Sequence, residues 1–312
     1  MMTCGPFSGP HIFLFRGTDM AFGAARAASF DTGGAAAMPQ PSRGSMLDIE
    51  FAQVSDCGRV RDHNEDYVGY VLPASAEEAR TRGWLFALAD GVGGHEAGEV
   101  ASRHAVETVV AGFRGAPSGE AHPGLLRRLV QSANEHVYST GRAASPGGVP
   151  MATTLVACAL RFDRAVVAHV GDSRCYQLRG NTATPLTRDH SVVGEQVRLG
   201  IITAKEAGES TKKNLLTRSL GLDLIVNVDI GEEHVMAGDV LVLCSDGLHG
   251  SVDGGEMAAA VRRSSSLEGA AKHLIALANE RDGSDNISIQ LIRIKSVERV
   301  GMYRGRPYRL PG

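Results

Sequence analysis

Five aspartates in this 312-residue chain stand at the margins of short apolar runs. Asp90 closes the run 84–89 and precedes Gly91. Asp246 closes 240–245 and precedes Gly247. Asp172 follows 165–171, while Asp66 and Asp285 each stand just ahead of a run, at Tyr67 and Ile287. If the runs are strands, the five carboxylates can converge at one rim of a sheet. Converging carboxylates repel one another unless a cation sits among them. An all-oxygen set without paired cysteines or clustered histidines favours Mg²⁺ or Mn²⁺ over Zn²⁺. Asp-Gly is also a common turn pair. Asp253-Gly254 and Asp282-Gly283 read as such turns, because no buried-looking strand leads into either.

The elements that must position these residues are patterned along most of the chain. Runs at 67–72, 84–89, 154–160, 165–170, 175–178, 240–244 and 287–294 are apolar or alternating and bounded by Gly, Asp and Asn, which predicts strands. Residues 161–164 form a hairpin-length link between two of them. Helical spacing recurs in Ala101, Ala105, Val106, Val109 and Phe113, in Leu126, Leu129, Val130, Ala133 and Val137, and in Leu267, Ala270, Ala271, Leu274 and Ala278. Helices come in blocks between blocks of antiparallel strands, so the expected class is α+β and not doubly wound α/β.

Composition bounds the function classes. With 32 Lys+Arg against 35 Asp+Glu the net charge is −3, which argues against a nucleic-acid partner. Five cysteines without a C-x-x-C pair exclude a disulfide scaffold or cysteine zinc knuckle and fit a reducing cytoplasm. No run is long enough to cross a membrane. Residues 1–45, rich in Gly and Ala with Pro6, Pro10, Pro39 and Pro41, read as a disordered extension, and Met46 is an alternative start. Residues 46–295 read as the folded domain and 296–312 as a short basic tail carrying Arg304, Arg306 and Arg309.

The strings Arg61-Asp62-His63-Asn64-Glu65-Asp66, Ala89-Asp90-Gly91-Val92-Gly93-Gly94-His95, Thr153-Thr154, Gly171-Asp172-Ser173-Arg174, Leu186-Thr187-Arg188-Asp189-His190-Ser191, Leu216-Thr217-Arg218-Ser219-Leu220-Gly221, Ser245-Asp246-Gly247-Leu248 and Ser284-Asp285-Asn286-Ile287 occur in that order. Together they resemble the bacterial-type metal-dependent protein phosphatases (the PPM, or type 2C, serine/threonine phosphatases), over about residues 50–294. The resemblance implies a central antiparallel β-sandwich flanked by helix pairs. It also implies hydrolysis of phosphoserine and phosphothreonine in proteins by a hydroxide bridging two Mn²⁺ or Mg²⁺ ions, with a third, weaker ion in bacterial relatives.

Carried over by position, Asp66, Asp90, Asp246 and Asp285 match the metal-binding aspartates, with Asp90 bridging two ions. The Gly91 carbonyl matches a further ligand, Glu65 acts through a metal-bound water, and Asp172 with Asp246 matches the third-ion site. Asp172 alternatively caps the turn before 175–178. Arg61 matches the phosphate-binding arginine, because a guanidinium fork pairs two phosphate oxygens. Its bland alternative is a surface salt bridge, a role that falls instead to the nearby Arg59. Val92 stands where many eukaryotic relatives carry a proton-donating histidine, and His95 reads as a structural hydrogen bond near a helix start. Residues 188–216 match the flap of bacterial members. The implied partners are phosphorylated proteins, such as a serine/threonine kinase or its targets, and the protein is expected to be a monomer. A catalytically silent relative and a Ca²⁺-binding structural protein are the competing readings. The retained aspartates and Arg61 argue against the first, and neither Arg61 nor the glycines after Asp90 are needed by the second.

Overall fold

The structure, a computed structural model, describes residues 11–13, 47–92, 96–144, 150–203, 206, 210, 212, 215–303 and 306–309. The strands are β1 (His11–Phe13), β2 (Asp48–Asp56), β3 (Asp66–Val71), β4 (Trp84–Val92), β5 (Ala152–Thr153), β6 (Leu155–Arg161), β7 (Arg164–Val170), β8 (Arg174–Arg179), β9 (Thr182–Pro185), β10 (Asp229–His234), β11 (Val240–Cys244), β12 (Ile287–Ser296), β13 (Val300–Tyr303) and β14 (Arg306–Arg309). The helices are α1 (Ala76–Thr81), α2 (Glu96–Arg114), α3 (His122–Ala144), α4 (Val192–Arg198), α5 (Asp246–His249), α6 (Gly254–Arg263) and α7 (Leu267–Arg281).

Two antiparallel sheets, ordered β1-β2-β12-β11-β8-β9 and β10-β7-β6-β4-β3, stack face to face. The strand period of two explains how four layers form. In β4, Leu85, Ala87 and Ala89 pack with α2 and α3, whereas Phe86 and Leu88 point between the sheets. In β11, Val240, Val242 and Cys244 pack with α6 and α7, whereas Leu241 and Leu243 point inward. Strands apolar on both faces are therefore the ones sandwiched between helix layer and sheet, in agreement with the α+β expectation.

Several elements differ from expectation. The sequence pattern predicts no strand at 48–56, yet β2 pairs with β12 along its whole length. Polar Asp48, Glu50, Gln53, Ser55 and Asp56 hide its pattern; the buried Gln53 is satisfied through Gln290 Nε2, which donates to its side chain at 3.0 Å. Inside the extension read as disordered, β1 pairs with the edge of β2 through main-chain bonds that leave little trace in composition. The basic tail holds an antiparallel hairpin, β13–β14. Asp253 is not a turn residue but the N-cap of α6: its carboxylate accepts from Glu256 N at 2.9 Å, and Glu256 bonds back to Asp253 N. Cys158, Cys175 and Cys244 are free and buried. Cys57 is disulfide-bonded, a departure from the all-thiol chemistry that the cysteine spacing suggests.

Candidate metal centre

All the acidic positions fall at one rim of the sandwich, where strands of both sheets end. Asp66 opens β3 and lies opposite Asp90 in the β3–β4 register. Asp246 follows β11 and opens α5, Asp285 stands two residues before β12, and Asp172 lies in the β7–β8 turn. The two sheets are joined there by hydroxyls. Ser245 Oγ donates to Asp66 Oδ2 at 2.8 Å and accepts from Ser288 N at 2.9 Å. Asn286 reaches the loop before β3: its Nδ2 donates to Cys57 O and His63 O, and its Oδ1 accepts from Glu65 N at 2.8 Å.

Asp90 is held from the neighbouring strand. Thr154 Oγ1 accepts from Asp90 N at 2.9 Å, and Asp90 O accepts from Thr153 Oγ1 and Thr154 N, both at 2.8 Å. Thr154 Oγ1 also lies 2.7 Å from Ser173 Oγ, beside Asp172. Ser245 therefore holds a carboxylate directly, while Thr153, Thr154 and Asn286 fix the main chain from which Asp90 and Glu65 depart. Sequence motifs contain all four residues but assign them no task, because a hydroxyl's partner cannot be read from spacing.

The two Asp-Gly pairs at the rim are not turns. A Cβ on Gly91 would lie 2.4 Å from Gly98 O, and one on Gly247 would lie 2.2 Å from Asn286 O. Glycine is required at both positions by the close approach of α2 and of the Asn286 backbone. Glu65 is buried behind Gly91. It accepts from Gly91 N through its carbonyl, and its Oε2 packs on Gly98 at the start of α2. Arg61 is exposed at the edge of the rim. Its Nη2 donates to the Asp285 carboxylate at 3.0 Å and its Nε to Ser284 O at 3.3 Å. Arg59 caps the C-terminal end of α7 through Glu280 O and Asp282 O, instead of making the expected salt bridge. Gly93, Gly94 and His95 lie outside the described residues.

Electrostatics mark the cluster as strained by like charge. Burial pushes the Asp66 carboxyl up to about 7, with Asp246 and Asp285 adding to the shift. Desolvation, then Asp66, Asp246, Asp172 and Asp285, hold Asp90 well above the carboxylate range. Burial and Asp246 raise Asp172 to about 7. Asp66 Oδ1 is buried without a hydrogen-bond partner. A buried acceptor left unmatched beside further carboxylates, with oxygen the only donor type, fits a site for a hard divalent cation. From Asp172, Asp246 and Asp285 a cavity of about 610 Å³ runs past Arg174 to Val193 and Val197 on α4. Its wall includes a two-pronged ion pair: Arg174 Nε and Nη2 donate to Asp189 at 2.8 and 2.7 Å.

Residues 58–281 match the family described as Protein phosphatase 2C. The chain is 37% identical over 257 residues to the serine/threonine phosphatase stp of Listeria welshimeri, covering 81% of this chain and 96% of that one. It is 32% identical over 246 residues to the protein phosphatase PhpP of Streptococcus pneumoniae, covering 78% and 97%. Among solved structures, the catalytic domain of the serine/threonine phosphatase PstP in complex with two manganese ions superposes with a TM-score of 0.68 at 33% identity, covering 80% of this chain and 99% of that one. Staphylococcus aureus Stp1 superposes with a TM-score of 0.72 at 30% identity, covering 84% and 100%.

Proposed function

The chain belongs to the protein phosphatase 2C family, and from that premise we propose that it is a metal-dependent protein serine/threonine phosphatase whose active site is the aspartate rim. The observation that carries the reading is the convergence of Asp66, Asp90, Asp172, Asp246 and Asp285, where burial and neighbouring carboxylates raise the pKa of Asp66, Asp90 and Asp172 and leave Asp66 Oδ1 buried and unmatched. Asp66, Asp90, Asp246, Asp285 and the Gly91 carbonyl would hold two Mn²⁺ or Mg²⁺ ions. Glu65 supports them from behind Gly91, and Asp172 with Asp246 would hold a third. When bound, the ions supply the Lewis acidity that lets water attack a phosphomonoester dianion at neutral pH.

The chain's own residues do the rest. The threonine pair and Ser245 fix the carboxylates so that little reorganisation is needed when charge develops at phosphorus. Arg61, at the open edge, is placed to exchange its Asp285 contact for two phosphate oxygens and so orient the substrate for in-line displacement. Val92 carries no titratable group, so the leaving alkoxide takes its proton from water. The catalytic domain spans residues 46–295. Its partners are phosphorylated proteins, including a serine/threonine kinase or that kinase's targets, and it works as a cytoplasmic monomer.

The test is hydrolysis of a phosphothreonine peptide and of an aryl phosphate after chelation and on readdition of Mn²⁺ or Mg²⁺. Activity returns with either ion on this reading. Full activity in excess EDTA would overturn it.

A further inference from the structure

Two histidine pairs stand outside the carboxylate rim, and they differ in what lies against their rings. His169 and His190 stack with centroids 4.7 Å apart, and together with Asp229 they offer ligand atoms within 4.8 Å of one another. Their spacing alone would suit a transition metal, but the cluster is already satisfied. Arg218 Nη1 donates to Asp229 Oδ1 at 2.7 Å and lies 3.0 Å from His190 Nε2, so a cation is built in. Gly171 N donates to His190 Nδ1 at 3.1 Å, and His169 Nε2 lies 2.8 Å from Arg188 O.

His104 on α2 and His136 on α3 form the second pair. The adjoining Ala105 and Val137 are fully buried beneath the helix layer, which puts the two histidines at the outer margin of the α2–α3 contact. His104 is half-buried there and His136 is exposed. The rings meet edge to face with centroids 4.7 Å apart, and His136 Nε2 lies 3.2 Å from His104 Nδ1. Among the described residues, no arginine or lysine is hydrogen-bonded to either ring. The adjacent Arg103 is engaged elsewhere: its Nη2 donates to Glu99 at 3.1 Å, and its guanidinium lies over the Tyr67 ring. Burial, then His136, lowers the His104 pKa, whereas Glu107, three positions along α2, favours positive charge there.

A neutral pair of this kind holds one proton between its two facing nitrogens. If the donor ring carries that proton on its other nitrogen instead, both facing lone pairs are free, and neutral imidazole is the ligand form. Tetrahedral coordination with metal–nitrogen bonds of about 2.0–2.1 Å places two ligand nitrogens about 3.3–3.4 Å apart. The observed 3.2 Å is close to that edge, so small ring rotations suffice. Two packed helices hold the side chains at this separation, as a precise site requires.

We propose that His104 and His136 form a separate cation site, a two-histidine clamp between α2 and α3 for a borderline divalent transition metal such as Zn²⁺ or Ni²⁺, with water in the remaining positions. The site is chemically distinct from the rim, because imidazole suits these metals whereas carboxylate and carbonyl oxygens suit Mg²⁺ and Mn²⁺. It does not depend on the phosphatase reading. Since both ligands stand on one helix layer, a cation there binds the folded chain and raises its melting temperature.

The experiment keeps Mg²⁺ in excess to load the oxygen sites and titrates the full chain with Zn²⁺ and with Ni²⁺ by calorimetry. The native chain should show a binding step that His104→Gln and His136→Gln each weaken by at least about 10-fold, since losing a direct ligand costs no less than losing a partner that orients one. A step that survives unchanged in both variants belongs elsewhere and would overturn the proposal, as would no Zn²⁺ or Ni²⁺ step at all. Melting curves of the metal-free variants show that they fold. Chemical labelling of the unmutated chain needs no variant. Zn²⁺ should shield His104 and His136 from diethyl pyrocarbonate, read by peptide mass, while the exposed His273 on α7 stays reactive. Equal labelling of the pair with and without Zn²⁺ would also overturn the site.

Discussion

The two ends of β11 carry aspartates with opposite fates. Asp239, just before the strand, is 2% exposed. Its Oδ2 accepts from Gln177 Nε2 at 3.0 Å, Arg179 Nη2 at 2.8 Å and Met236 N at 2.9 Å, and its Oδ1 accepts from Arg179 Nε at 2.9 Å. At the other end, the rim around Asp246 gathers Asp66, which is 6% exposed and receives one serine hydroxyl on Oδ2 and nothing on Oδ1. A buried carboxylate given an arginine fork and two more donors is a structural tie. One given other carboxylates instead stores repulsion that a cation can relieve. Supply of donors, not burial, separates structural from functional acids in this molecule.

The largest effect that could break this contrast is the activity of Asp90→Ala. It should lower kcat by roughly 10³-fold or more, several kcal/mol of lost transition-state stabilisation, while leaving the melting temperature of the metal-free protein unchanged or higher. Asp239→Ala should do the opposite, costing roughly 3 kcal/mol of stability because the Arg179 end loses its partner, with near-normal turnover in the folded fraction. Kinetics and thermal melts on both variants decide. A metal-free Asp90→Ala protein that melts well below the native one would show that the rim is not strained by like charge.

Next in size is Arg61. Its loss should lower kcat/KM by very roughly 30- to 1000-fold, about 2–4 kcal/mol, chiefly through KM. Lys should recover only part, because a point charge cannot reproduce a fork. Since Arg61 also donates to Asp285, Mn²⁺ affinity in Arg61→Ala should stay level or rise. A destabilised variant with normal kcat/KM would make Arg61 another Arg179.

Desolvation acts on bases too. His122 is buried against Phe113 with Nε2 donating to Arg82 O at 2.8 Å, and burial lowers its pKa to about 4. The unfolded chain takes up a proton near pH 6.5 and the folded chain does not. The stability contributed by the neutral ring is therefore present above pH 6.5 and lost as pH falls toward 4. Between pH 6.5 and 5 the loss from this residue should be about 2 kcal/mol, and His122→Gln should flatten that part of the urea-stability profile. An unchanged profile would show that the ring is hydrated.

The smallest effect tests the sorting of Asp-Gly pairs. Asp253→Ala should cost about 1 kcal/mol through the lost cap and leave kcat alone. A fall in kcat matching that of Asp246→Ala would place Asp253 at the site.

Much of the rim was legible because its acids interrupt apolar runs, and polarity at a strand margin survives in one dimension. The helices α2, α3 and α7 were legible for a similar reason, since a 3.6-residue period is local. β2 was not, because its burial depends on β12 more than two hundred residues away. Nor was the cap at Asp253, although D-x-x-E is local: the apolar positions Met257, Ala258 and Val261 that follow it make too short a stripe to announce α6.

By itself, the order of residues narrowed the ligand chemistry: carboxylates without paired cysteines or clustered histidines favour a hard cation over zinc, and that follows from composition at a few positions. It also determined which segments could be strands apolar on both faces. The fold alone decided which aspartates meet. Asp239 and Asp246 bracket the same strand and look alike in sequence, yet one end of β11 faces Gln177 and Arg179 on β8 and the other faces Asp66 and Asp90 from the opposite sheet. Fold alone likewise put Arg218 among His169, His190 and Asp229. Repulsion, desolvation and hydrogen bonding depend on distances of a few ångströms between residues far apart in the chain, and those distances exist only once the two sheets have stacked.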